Sequence, residues 1–189
     1  MLIDRFLPEF DVSEHHVTRV HAPVDRAYTA ARRIDLGRSR VIRGLFTARG
    51  IPLAIRRRPR PKLRSLTLDD LVRDGFVWLA QEPPHELVLG VAGSFWRPSA
   101  RVLHLDATDF EAFDGKGYAK AAWNFRVIPL DETRSVVTTE TRVRVPDDES
   151  RRKFLLYWAA IGPMSGLIRR QALALIKDDA EAHPGPQVT

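Results

Sequence analysis

Residues 87–98 read LVLGVAGSFWRP. The run is apolar and strand-forming, yet it carries Gly90 and Gly93 and ends on Phe95, Trp96 and Arg97. Glycines at such spacing serve either a phosphate-cradling turn or a strand that must bend. The first requires G-x-G-x-x-G or G-x-x-x-x-G-K-[ST] leading into a helix; neither pattern occurs, and no helical periodicity follows Phe95 and Trp96. Glycine inside a strand pattern marks a bulge or a sharp bend. The stretch therefore reads as a bent strand in a sheet that curls around something large.

The neighbouring segments have the same texture. FVWLAQEP (76–83) is separated from it by the turn-like Pro83, Pro84 and His85, and VLHLDATDFEAF (102–113), YAKAAWNFRVIPL (118–130) and RSVVTTETRVRV (134–145) follow, the last two joined at Asp131 to Thr133. Short runs of β-formers punctuated by turn residues predict a meander of about five antiparallel strands. Upstream, EHHVTRVHAP (14–23) looks extended, with Val17 and Val20 as its apolar residues. Residues 24–34 carry Val24, Ala27, Tyr28 and Ala31 at helical spacing behind Pro23, and 39–48 place Val41, Leu45 and Phe46 on one side of a second helix. Thr67 caps a short helix, LDDLVRD, which Gly75 closes. Downstream, Phe154, Trp158, Ile161, Ser165, Ile168, Ala172 and Leu175 recur at three- and four-residue steps, predicting one long helix over 147–180 with a kink at Pro163.

A chain of 189 residues suits one domain over 1–189, with a core near 14–180, a flexible basic loop at 51–64 and a disordered tail at 182–189. At 44% hydrophobic and 29% charged, with no cysteine, the composition excludes disulfide and thiolate chemistry. The opening MLIDRFLPEF has charges inside its only apolar stretch, so no secretory segment is expected and a cytoplasmic setting is the default. The net charge of +6 rests on arginine, with only five lysines.

The order strand, two helices, strand meander, long C-terminal helix resembles the α+β helix-grip fold of the START, Bet v 1 and polyketide-cyclase (SRPBCC) superfamily, in a bacterial branch. GFVWLAQEP, ELVLGVAGSFWRP, YAKAAWNFRV, TTETRV and FLLYWAAIGPMSGLIRR carry the resemblance. It implies a curved antiparallel sheet wrapped around the C-terminal helix, with a cavity between them. It further implies binding of a small hydrophobic molecule there, or, as the alternative, an enzyme of cyclase, aromatase or dehydratase type.

A hairpin turning at Asp131 to Thr133 sets Val127 near Val137, Phe125 near Thr139 and Trp123 near Thr141. One face is then Trp123, Phe125, Val127, Val137, Thr139, Thr141 and Val143, expected to look at the helix; Asn124, Arg126, Thr138, Glu140, Arg142 and Arg144 are expected to face water. A one-residue slip would bring Glu140 and Arg142 inside as a polar pair. Cavity-lining candidates are Trp78, Phe95, Trp123, Phe125, Thr139, Thr141, Tyr157, Trp158 and Ile161, with Glu140, Arg142 and Tyr118 as candidate polar groups. On one strand Phe95 and Trp96 point to opposite faces, so only one looks inward. His15 and His16 diverge for the same reason, no H-E-x-x-H occurs, and neither a metal nor a cofactor is expected. Ser94 lies outside any G-x-S-x-G.

Arg56, Arg57, Arg58, Arg60, Lys62 and Arg64 form the strongest charge feature. Pro52, Pro59 and Pro61 keep the loop 51–64 irregular, and no aromatic residues are interleaved for base stacking, so sequence-specific nucleic-acid recognition is not expected. A weak contact with an anionic membrane or an acidic partner is the functional alternative to a solvated loop, and would make the protein an adaptor.

Overall fold

The computed structural model describes residues 1–48, 65–97 and 99–182. Helix α1 (Leu2–Phe6) precedes β1 (Val12–Val20). Then come α2 (Val24–Arg32), a 3₁₀ turn (Leu36–Arg38), α3 (Arg40–Ala48) and α4 (Leu68–Arg73). The strands β2 (Val77–Glu82), β3 (Glu86–Gly93) and β4 (Val102–Leu103), helix α5 (Ala107–Ala112), strands β5 (Ala119–Pro129) and β6 (Ser135–Arg144), and helix α6 (Asp148–Glu181) complete the order.

The strands form one antiparallel sheet in the order β1-β6-β5-β3-β2, with β4 extending the edge beyond β2 by pairing with β3. Trp123 pairs with Thr141, Phe125 with Thr139 and Val127 with Val137, the register the hairpin turn predicts. On the inner face these residues, with Leu87 and Leu89 of β3, pack against α2, α4 and the C-terminal half of α6 through Tyr28, Leu71, Leu173 and Ile176. A second inner cluster joins Ala119, Val143 and Val145 to Phe154 at the start of α6. Asp147 caps that helix, its carboxylate accepting from the N–H groups of Ser150 and Gly117 at 2.9 and 2.8 Å. The helix continues through Pro163, whose missing N–H leaves the exposed turn at Ala159 without one ladder bond.

The outer face is also covered. Ile3, Phe6 and Leu7 at the N-terminus and Phe110 of α5 pack on Leu79, Val88 and Ala122. One expectation is corrected. Residues 102–113 form not a strand but the two-residue β4 and then α5, because Asp106 caps a helix by accepting from the Asp109 N–H at 2.7 Å. The N-terminal arm is a helix that shields the sheet. In α3, Ile42 is fully buried and Val41 is exposed, so the core-facing stripe is displaced from the one containing Val41.

Gly90 and Gly93 are sites of close approach. A Cβ on Gly90 would lie 2.9 Å from Leu79 Cδ1 and Phe110 Cε2, and one on Gly93 would lie 2.6 Å from the Arg101 carbonyl oxygen. β3 ends at Gly93, and Ser94 pairs with Arg101 through its own N–H and its hydroxyl. Phe95 and Trp96 therefore lie in a turn, where strand alternation no longer applies, and both pack on the Phe154 cluster. The expectation that only one could look inward is overturned for that reason. The basic run 56–64 and the tail 183–189 lie outside the described residues. Among the described residues no helix is long and apolar enough to cross a membrane.

Candidate functional site

The pairing pattern lays cross-sheet rows along the inner face. One runs Glu14, Thr141, Trp123, Leu89, Trp78, and the next runs His16, Thr139, Phe125, Leu87. The polar end of both rows lies on β1 and β6, under the middle of α6. There His16 Nε2 donates to Glu14 Oε1 at 3.1 Å, and a Cβ placed on Gly166 would fall 2.0 Å from that oxygen. The helix passes so close over the carboxylate that only glycine fits without moving it.

Arg169, one turn further along α6, reaches back into the same space. Its Nε donates to Thr141 Oγ1 at 2.6 Å, its Nη1 reaches the Ser165 carbonyl at 3.4 Å, and its guanidinium carbon sits 5.0 Å from the Trp123 ring centroid. Burial pulls the Arg169 pKa down to about 10, opposed by the nearby Glu14 charge. The guanidinium stays cationic at neutral pH. Arg169 and Glu14 make no direct ion pair, and Glu14 Oε2 is buried with no hydrogen-bond partner among the described residues. Beside them Trp123 Nε1 donates to Thr139 Oγ1 at 2.7 Å, and that hydroxyl donates to the Asn124 carbonyl.

The sequence-predicted residues separate into groups. Trp123, Phe125, Thr139 and Thr141 lie on the inner face as expected, with Trp123 and Phe125 rings 4.8 Å apart. Tyr157 and Trp158 join Phe95 and Trp96 around Phe154, near the helix start. Ile161 is half-buried on α6. Trp78 is at the other end, under the Arg32 guanidinium at 4.6 Å, itself paired to Asp69. Tyr118 lies apart from these, its ring edge-on to Phe113 at 6.1 Å.

Glu140 and Arg142 face neither solvent nor the helix. They lie on the outer face beneath α1, where Arg142 donates to both Glu140 oxygens, to the Leu7 carbonyl and to Asp4, with Phe10 over its guanidinium. Also on that side, an open cleft of about 360 Å³ lies along Glu82, Glu86 and Arg126, but both Glu86 oxygens already accept, from Leu2 N–H and Asn124. Glu14, His16 and Arg169 went unrecognised in the sequence. Val17 and Val20 have opposite parity on β1, so alternation did not reveal which face its polar residues share.

The antiparallel order β1-β6-β5-β3-β2, with helices between β1 and β2 and α6 across the inner face, decides the architecture. The chain has a helix-grip fold. Solved structures similar to this helix-grip chain include a conserved protein from Geobacillus kaustophilus, at 9% identity and TM-score 0.44, spanning 89% of this chain and 95% of that one. Norcoclaurine synthase from Thalictrum flavum is similar at 12% identity and TM-score 0.43, spanning 92% and 95%. The Zhui aromatase/cyclase from Streptomyces sp. R1128 is similar at 16% identity and TM-score 0.31, spanning 92% and 98%. No family model matches the chain, and no curated protein matches it. Likenesses of this strength assign no activity, so the functional reading rests on the chain's own side chains.

Proposed function

We propose that the protein binds a small, predominantly hydrophobic molecule between the sheet and α6. One observation carries the reading: Glu14 Oε2, Tyr28 Oη and Trp96 Nε1 are buried without a hydrogen-bond partner among the described residues, and all three belong to the sheet–helix interface. Buried polar groups are ordinarily satisfied, and each one left unmade costs about 1–3 kcal/mol. A bound molecule with a few polar atoms on an apolar body would supply partners. Trp78, Phe95, Tyr157, Trp158 and Ile161 keep part of their surface accessible although they pack on inner clusters or lie on the helix that covers them. Native mass spectrometry of protein purified from its host tests the proposal. A retained apolar mass supports it; repeated recovery of unliganded protein that no hydrophobic probe stabilises against heat refutes it.

A second reading, an enzyme of cyclase, aromatase or dehydratase type, is favoured by the His16–Glu14 contact beside the Arg169 guanidinium, which together could move a proton next to a held oxygen. Its mark would be turnover of a bound substrate that His16→Gln abolishes without loss of binding.

A further inference from the structure

We propose that Glu14, His16 and Arg169 form a subsite for a neutral hydroxyl, so that the ligand class is a phenol or alcohol rather than a carboxylic acid. The inference rests on the binding reading above and specifies which polar group the ligand carries. Thr141 ties the two halves together: it pairs with Glu14 across β1 and β6, and its hydroxyl accepts from Arg169 Nε at 2.6 Å. A guanidinium offers five N–H donors. Arg169 uses Nε on Thr141 and Nη1 on Ser165, and Nη2 makes no hydrogen bond among the described residues. Glu14 Oε1 accepts from His16, which leaves Oε2 as a buried acceptor with nothing to accept.

One unused acceptor on Glu14 and one unused donor on Arg169 therefore flank Thr141, and a single group that answers both must accept and donate at once. A hydroxyl does so with a single atom. A carboxylate would satisfy Arg169 but set a second negative charge beside Glu14, and like charges brought together away from water repel strongly. The Trp123 ring, 5.0 Å from the Arg169 guanidinium, walls the subsite on the apolar side, where an aromatic or aliphatic body would lie.

The test is amide-detected NMR titration of the intact chain with three probes of one shape: 4-ethylphenol, ethylbenzene and 4-ethylbenzoate. The phenol is expected to bind about tenfold more tightly than ethylbenzene, the worth of one well-made charged hydrogen bond, and more tightly than the benzoate. Glu14→Gln and Arg169→Lys should each remove about tenfold of the phenol affinity while leaving ethylbenzene within about twofold, and Glu14→Gln should raise the benzoate affinity. The amide spectra report in the same samples that each variant is folded. Benzoate binding more tightly than phenol, or phenol and ethylbenzene binding alike, overturns the subsite while leaving hydrophobic binding intact. Failure of all three probes to bind overturns the subsite and the binding reading together.

Discussion

Arg142→Met is expected to be among the most destabilising single changes on the outer face. The Arg142 side chain is 8% exposed and its partner Glu140 12% exposed, with Nε to Oε1 at 2.7 Å and Nη2 to Oε2 at 3.3 Å. No other side chain among the described residues bonds to the Glu140 carboxylate, whose backbone N–H donates to Asn124 Oδ1. Removing the guanidinium leaves that carboxylate beneath α1 with no counter-charge, a change that costs about 3–5 kcal/mol for a buried pair. The buried Leu7 carbonyl also loses its donor, a contribution of about 1–2 kcal/mol within that total, whereas Asp4 is half exposed and rehydrates. For a chain of this length about 4 kcal/mol lowers Tm by roughly 8–16 °C. The double change Glu140→Met with Arg142→Met deletes both charges and fills the space with apolar volume, so it should recover at least about 2 kcal/mol of the loss. Urea unfolding with calorimetry measures all three species. A single variant that loses less than about 1 kcal/mol, or a double variant no more stable than the single, would refute the reasoning.

Gly90→Ala should cost roughly 1–3 kcal/mol by overpacking, because its Cβ would lie 2.9 Å from both Leu79 Cδ1 and Phe110 Cε2; urea unfolding reads it directly. Gly166→Ala should leave stability within about 1 kcal/mol, since the helix-propensity gain of about 1 kcal/mol offsets the lost Glu14–His16 hydrogen bond, yet it should abolish the phenol preference in the NMR titration. Acid should destabilise the fold as the pH falls from about 4 to 2: Arg134, followed by the Thr133 N–H and hydroxyl, holds Asp131 at about 2, and Arg32 likewise depresses Asp69. A carboxyl group whose folded pKa lies below its unfolded value of about 3.9 contributes stability above that value and loses it below, so carboxyl-detected NMR should find Asp131 ionised at pH 3 in the folded chain.

The parts legible in the sequence were those where two signals agreed. For β5 and β6, long alternation and the turn at Asp131 to Thr133 favoured the pairing of Phe125 with Thr139 over a one-residue slip, and the structure has that pairing. Thr67 and Gly75 bracketed α4 as cap and stop. Where the signals conflicted, the reading went astray. The short runs around Asp106 fit a strand as well as a capped helix, and only the Asp109 N–H bond distinguishes them. Alternation put Glu140 and Arg142 on the correct face, but charge was equated with water, and five helical residues at the N-terminus are too few to announce a covering helix. The stripe read on α6 holds at Phe154 and Ala172, which are buried, and at Trp158, Ile168 and Leu175, which pack on the inner clusters. The side that presses on the sheet also takes in Gly166, Arg169, Leu173, Ile176 and Ala180, which that stripe leaves out.

The helix over Glu140 and Arg142 has an effect on the opposite surface of the sheet. With α1 and α5 sealing the back, the strands are anchored from behind, and the front can carry mismatched donors and acceptors that a thinner architecture would have to eliminate. Thr139 is tied into the core by Trp123 Nε1 and the Asn124 carbonyl, whereas on the proposed binding reading substitutions at Glu14 or His16 would act on the captured molecule more than on stability. A lineage of such chains could drift in selectivity through those positions while its back wall stays the same.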